Sequence, residues 1–155
     1  MLKKLIIFTG LFLLIIGGTT MTTAKNNDWD KTFPKSDKVN VEKIHFKNRY
    51  GIELTGDLYT PKNKKEDKLP AIAVSGPFGA VKEQASGLYA QTLAERGFIT
   101  LAFDPSYTGE SSGEPRNVSS PNINTEDFSA AVDYLSNLKD VNPERIGIIG
   151  ICGFG

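Results

Sequence analysis

The sequence predicts an α/β fold, a mostly parallel sheet covered by helices on both faces and entered through an amino-terminal antiparallel hairpin. Three observations carry that prediction. Short apolar runs at residues 69–74, 98–103 and 145–151 alternate with two helical patterns at 82–96 and 125–138. The runs are continuous rather than alternating, as in strands buried on both faces. Strand, helix, strand, helix, strand in that order is the pattern of right-handed parallel crossovers, which put both strand-to-helix loops at the carboxyl edge of the sheet, where open α/β proteins place their ligands.

Before that core, residues 39–46 have the β-branched and aromatic content of a strand and residues 51–60 form another, with Lys47-Asn48-Arg49-Tyr50 as the turn between them. In the second strand Ile52 and Leu54 alternate with Glu53 and Thr55, so both are expected as edge strands. A charged linker opened by Pro61 leads to the first parallel strand. In the helix at 82–96, Ala85, Leu88, Tyr89 and Leu93 recur at helical spacing, and Gly97 closes it as a left-handed cap. Thr125 caps the second helix, whose apolar face is Phe128, Ala131, Val132, Leu135 and Leu138; Glu126 and Asp127 then complement the positive end of that helix. Between strand and helix, residues 104–124 show no element of their own, and loops of that length are functional or disordered.

Composition narrows the function. The 155 residues are 39% hydrophobic, and 18 basic residues balance 18 acidic ones, so there is none of the basic excess that draws nucleic acid. Lys3 and Lys4, the apolar run 5–16 and the small residues leading to Thr22-Thr23-Ala24 have the order of a secretory signal peptide cleaved after Ala24. The run is too short to span a bilayer unaided, which takes about 20 residues. An uncleaved segment extended through Gly17 and Gly18 would be the chain's membrane contact. The expected organisation is a signal peptide at 1–24, a polar segment at 25–38 and one domain at 39–155, exported to the periplasm or beyond the cell. One cysteine and one histidine without paired ligand spacing give no metal site, and no cofactor is expected.

That single cysteine, Cys152, is either a small buried hydrophobe or a reactive group. Its setting favours reactivity. The third parallel strand runs straight into Gly150-Ile151-Cys152-Gly153-Phe154-Gly155, the context of a nucleophile elbow, where neighbours must be small so that strand and helix can approach. Gly150 meets that need, whereas Phe154 stands where the pattern usually has glycine. Sulfur is intrinsically nucleophilic, and the Gly153 N–H faces a developing oxyanion. The second donor comes from the loop after the first parallel strand: Pro77 has no N–H, so Phe78 is chosen, with Gly79 next.

Several strings together, Gly76-Pro77-Phe78-Gly79 with Val81-Lys82-Glu83-Gln84, Phe103-Asp104 through Gly109-Glu110-Ser111, Gly113-Glu114-Pro115-Arg116, and residues 148–155, resemble an α/β-hydrolase. The resemblance spans residues 39–155 and is closest to the exported dienelactone-hydrolase-like branch, whose elbow carries cysteine. It implies an α/β-hydrolase fold truncated after the nucleophile elbow, and hydrolysis of an ester, lactone or related acyl bond in a small-molecule substrate. In that family the triad acid and histidine follow the elbow, so the chain alone is expected to lack efficient turnover for want of a base to activate its thiol. Gly76 replaces a histidine frequent in the family's first loop, which bears on loop rigidity.

Other polar residues have weaker claims. The sole histidine, His45, alternates against Ile44 and Phe46 and is expected on the surface rather than as a base. Arg116 either meets a substrate carboxylate or clamps Asp104 or Glu114, and Tyr107 in the same loop is a second substrate-binding candidate. Ser111 lies in a Gly-x-Ser-x-Gly string that no helix pattern follows, so the match is accidental.

Two rival readings remain. Residues 150–155 nearly spell the Gly-x-Gly-x-x-Gly dinucleotide fingerprint, with cysteine at the middle glycine and after the third parallel strand rather than the first. The other is a non-catalytic remnant, whose last strand would expose an apolar edge and make the chain molten or oligomeric.

Overall fold

A computed structural model describes residues 29–155. The expected signal peptide, its cleavage point after Ala24 and residues 25–28 lie outside the described residues. The chain forms β1 (Val39–Lys47), β2 (Glu53–Pro61), β3 (Leu69–Ser75), α1 (Ala85–Ala94), β4 (Ile99–Phe103), α2 (Pro121–Ser136), β5 (Val141–Gly150) and a single 3-10 turn at Cys152–Phe154. Strand order is β1-β2-β4-β3-β5. The first two strands form an antiparallel hairpin, β2 also runs antiparallel to β4, and β4, β3 and β5 are parallel. This is the expected α/β arrangement of a mixed, mostly parallel sheet with helices on both faces.

The two crossovers leave the sheet on opposite faces. Below one face Phe128, Ala131 and Leu135 of α2 pack on Leu58, Ala71, Ala73, Leu101 and Phe103. On the other, Ala90 and Ala94 of α1 pack on Tyr59, Val74 and Ala102. The loops after β3 and β4 therefore diverge, and the carboxyl edge opens between them.

Four expectations change. β2 is an interior strand, not an edge: β4 pairs on its far side, and Leu54 to Tyr59 are all buried. The inward face of α1 is Ser86, Gly87, Ala90, Gln91 and Ala94, while Leu88 and Tyr89 point outward. Small residues let the helix lie close to the sheet, and Phe33 fills the space at Gly87. α2 begins at Pro121, with Ser120 as its N-cap, because proline suits the first helical position; the Thr125 hydroxyl instead donates to the Pro121 carbonyl at 2.7 Å. Finally, β5 starts at Val141 and reaches register with β3 through a bulge. Gly97 behaves as expected, at φ +105°, with its N–H on Ala94 O and that of Phe98 on Leu93 O.

Residues 29–38, read from sequence as merely polar, strap α1 to the hairpin. Phe33 is buried, Gln91 donates to the Pro34 carbonyl at 2.9 Å, and Lys31 forms a buried ion pair with Asp57 at 2.9 Å. At the opposite margin, β5 has β3 as its one strand neighbour among the described residues, and Ile148 is 58% exposed.

Candidate active site

Cys152 sits at the end of β5 where the strand turns into the 3-10 segment, solvent-exposed and at φ +59°. Left-handed backbone at a non-glycine residue costs energy and recurs where a side chain must be presented from a tight turn. Two glycines make this turn possible. A Cβ on Gly150 would collide with the Phe154 carbonyl, and a Cβ on Gly76 would strike the Ile151 carbonyl. The second contact presses the β3 loop against the elbow, and the Ile151 N–H extends the parallel ladder to Ser75 O at 3.0 Å. The glycine-for-histidine difference in the first loop thus has a steric consequence: any side chain there would meet the elbow backbone.

The two residues expected as oxyanion donors, Phe78 and Gly153, are neighbours in space. A Cβ at Gly153 would touch Cβ of Phe78 at 3.6 Å, and the Phe78 N–H donates to no backbone carbonyl among the described residues. Phe154, the residue out of pattern, keeps its carbonyl in the turn while its half-buried ring packs against the margin of the core. There it stacks on Phe78 at 6.3 Å and tilts against Phe128 of α2 at 6.4 Å. The space beside Gly150 is filled by the chain's own carbonyl, so the tight turn itself requires glycine there; the position the dinucleotide fingerprint keeps open for a pyrophosphate is occupied by Cys152 with its side chain.

The loop from Asp104 to Ser120 is ordered by polar contacts. Asp104, fully buried at the end of β4, accepts the Lys82 N–H at 2.7 Å, the Lys82 ammonium at 3.0 Å and the Glu110 N–H at 3.0 Å. Lys82 is itself buried and also reaches Glu83 and Glu110, both at 2.5 Å, while Glu110 pairs with Lys43 of β1 at 2.7 Å. Burial alone would lower the Lys82 pKa, but Glu110, Glu83 and Asp104 outweigh it and leave it raised. Burial raises Asp104 against the opposing pull of the Glu110 N–H and Lys82. Hydrogen bonds from Lys43 and Lys82 hold Glu110 down at about 2.

Several sequence candidates are spoken for in this loop. The Ser111 hydroxyl is buried, donating to Asp104 O at 2.6 Å and accepting the Thr55 N–H at 2.9 Å, so the Gly-x-Ser-x-Gly string presents no nucleophile. Arg116 clamps carbonyls rather than Asp104 or Glu114: it donates to Ser111 O at 2.5 Å and Gly109 O at 2.7 Å, because the loop curls around its guanidinium. Tyr107 adopts φ +72°, with its ring packed where Gly113 has no side chain. His45 is exposed on β1, as expected, with Nδ1 3.1 Å from the Thr55 hydroxyl.

Glu126 and Asp127 do not serve the helix end. Asp127 is buried and accepts bonds from Asn48 Nδ2, Ser106 N and Ser106 Oγ, all within 2.8 Å. Glu126 pairs with Arg49 and accepts its N–H. With α2 starting at Pro121, both acids lie beyond its first turn and tie the helix to the hairpin turn. The Lys82–Asp104 pair was missed from sequence, since a lysine opening a helical pattern reads as solvated and nothing local links it to an aspartate 22 residues on.

Comparison with known proteins gives a consistent family. The X-Pro dipeptidyl-peptidase (S15 family) profile matches residues 50–153. The uncharacterized protein PA2218 of Pseudomonas aeruginosa is 70% identical over 139 residues, covering 90% of this chain and 38% of that protein. Its crystal structure superposes with a TM-score of 0.80 at 72% identity, over 83% of this chain and 40% of that one. The thiohydrolase aneE of Aspergillus aculeatus is 32% identical over 131 residues, 84% of this chain and 37% of that protein. The α/β hydrolase GrgF of a Penicillium species has a TM-score of 0.67 at 27% identity, over 74% of this chain and 38% of its own. The chain thus spans about two fifths of the length of the relatives it matches.

Proposed function

The chain belongs to the X-Pro dipeptidyl-peptidase (S15) family of α/β-hydrolase type, and from that premise we propose that its elbow performs acyl transfer with Cys152 as the nucleophile. The observation that carries the proposal is the exposed thiol held at φ +59° directly after β5, with the Phe78 loop pressed against the same turn. The thiolate attacks the acyl carbon and a C–S bond forms. The carbonyl oxygen takes the negative charge between the Phe78 and Gly153 N–H groups, and collapse expels the alcohol or thiol leaving group. Water then cleaves the thioester and releases the acid. The thiol proton goes to a histidine that the dienelactone-hydrolase-like resemblance places after the elbow in chain order.

Small acyl compounds, esters, lactones or thioesters, are the substrate class of this reading. The name of the aneE relative, a thiohydrolase, and the α/β-hydrolase likeness of GrgF support it. Export belongs to the same proposal and rests on the sequence of residues 1–24. The test is covalent: p-nitrophenyl butyrate mixed with the full chain should release p-nitrophenolate and leave a butyryl group on Cys152 by peptide mass spectrometry. Cys152→Ala should carry no adduct. An adduct elsewhere, or undiminished release from Cys152→Ala, overturns the assignment.

A further inference from the structure

Asp104 holds the backbone of the loop that carries Phe78. That loop is strung between two fixed points. At one end Gly76 lies against the Ile151 carbonyl of the elbow; at the other the Lys82 N–H is bonded to Asp104 Oδ1 at 2.7 Å. Besides the Phe78 ring against Phe154, the hydrogen bonds between those points are local: Ala80 N–H to Pro77 O at 3.0 Å, Gln84 N–H to Val81 O at 3.0 Å, and Val81 N–H to Gln84 Oε1 at 3.3 Å. These shape the loop but travel with it. The Asp104 bond refers it to β4, and β4 is bonded through β3 to the strand that bears Cys152.

The same carboxylate is fixed from the other side by the Glu110 N–H and the Lys82 ammonium. That ammonium meets three carboxylates, and one of them, Glu110, is anchored to Lys43 on β1. An apolar pair of similar volume would fill the space without the desolvation cost of buried charge. What it would not do is fix a backbone N–H at a defined point. We infer that Asp104, locked by Lys82 and Glu110, is a positioning residue that sets the Phe78 N–H at the distance an acyl oxyanion requires. The inference rests on the reading of Cys152 and Phe78 given above.

Two reactions of the same thiol separate positioning from stability. Acylation by p-nitrophenyl butyrate passes through a tetrahedral oxyanion, whereas alkylation by iodoacetamide displaces iodide at saturated carbon and forms none. Asp104→Asn keeps the shape and a carbonyl acceptor for the Lys82 N–H but removes the charge that locks it. In the full chain it should slow acylation by roughly ten- to hundredfold, less than the 10²–10³ typical of deleting an oxyanion donor outright. The substrate concentration at half-saturation should stay within about threefold, since ground-state binding is untouched, and iodoacetamide should alkylate Cys152 at the wild-type rate.

Glu110→Gln, at a half-exposed position where folding is not at stake, should shift acylation the same way by a few fold and leave alkylation unchanged. If Asp104→Asn does not fold, this variant decides the matter. Equal acylation in the folded variants, or acylation and alkylation falling together, overturns the inference while the Cys152 assignment stands. Failure of that assignment has its own signature, butyrylation that survives in Cys152→Ala, and it removes the inference with it.

Discussion

Two strings in this chain have the form of an elbow, Gly109-Glu110-Ser111-Ser112-Gly113 after β4 and Gly150-Ile151-Cys152-Gly153 after β5, and the fold treats them in opposite ways. The first places Ser111 eight residues beyond the end of its strand, inside a loop whose polar groups are paired. Its hydroxyl is 2% exposed, with both a donor and an acceptor bond in use. The second follows its strand immediately, carries a left-handed non-glycine residue at its apex and leaves the thiol in solvent. On the reading of Cys152 proposed above, an elbow needs a left-handed residue at the end of a fixed strand, its side chain without a partner among the described residues, which the bare spacing of glycines does not encode.

The largest expected contrast breaks or confirms that comparison directly. Cys152→Ala should abolish iodoacetamide labelling, since it removes the only cysteine, whereas Ser111→Ala should be labelled at the wild-type rate. Slowed labelling in Ser111→Ala would mean that the two turns are coupled, and the contrast would fail. Next in size is Gly150→Ala. Its Cβ meets the Phe154 carbonyl, a backbone atom that cannot rotate aside, so the elbow itself must shift. A loss of about 1–3 kcal/mol is expected, as for other overpacked sites. The urea midpoint checks the loss; an unchanged midpoint would show that the turn is looser than its contacts imply.

Ser111→Ala should also lower stability, by about 1–2 kcal/mol, because the Thr55 N–H loses its acceptor in a buried position. Together the three variants assign reactivity to one turn and structural bonding to the other. Variants that lowered both properties at either turn would dissolve the distinction.

Much of the frame was legible because its signals are local. The three parallel strands announce themselves as short apolar runs, the Gly97 cap follows directly on a helix end, and Cys152 follows a strand among glycines. What was not legible depends on partners far away in sequence. Leu88 and Tyr89 looked like a core face because they are large, yet Ala90 and Ala94, four apart, are what meet the sheet, and Gly87, three before Ala90, meets Phe33. That stripe of small residues was a signal available to be read. Asp127 and Glu126 were assigned to a helix end because their partners, Asn48, Ser106 and Arg49, are brought to them only by the fold. The Ser120-Pro121 start was present in the sequence and lost to Thr125, although serine caps better than threonine and proline suits the first helical position.

The smallest expected effect tests how the paired loop is held. Glu110 has its folded pKa depressed to about 2 by Lys43 and Lys82, from an ordinary value of 4.5, so its contribution is present in full above the ordinary value and is lost as pH falls through 2. Asp104 works against it on acidification, since burial raises its pKa and protonation relieves that cost. The comparison that isolates Glu110 is therefore wild type against Glu110→Gln. Because the carboxylate is half exposed, the gap between their unfolding free energies at pH 6 should be no more than about 1 kcal/mol, and salt at about 0.5 M should shrink it. The gap should close as the pH approaches 2. A gap independent of pH would mean that Glu110 acts through its shape alone, and the charged lock on Lys82 would then consist of Asp104 and Glu83.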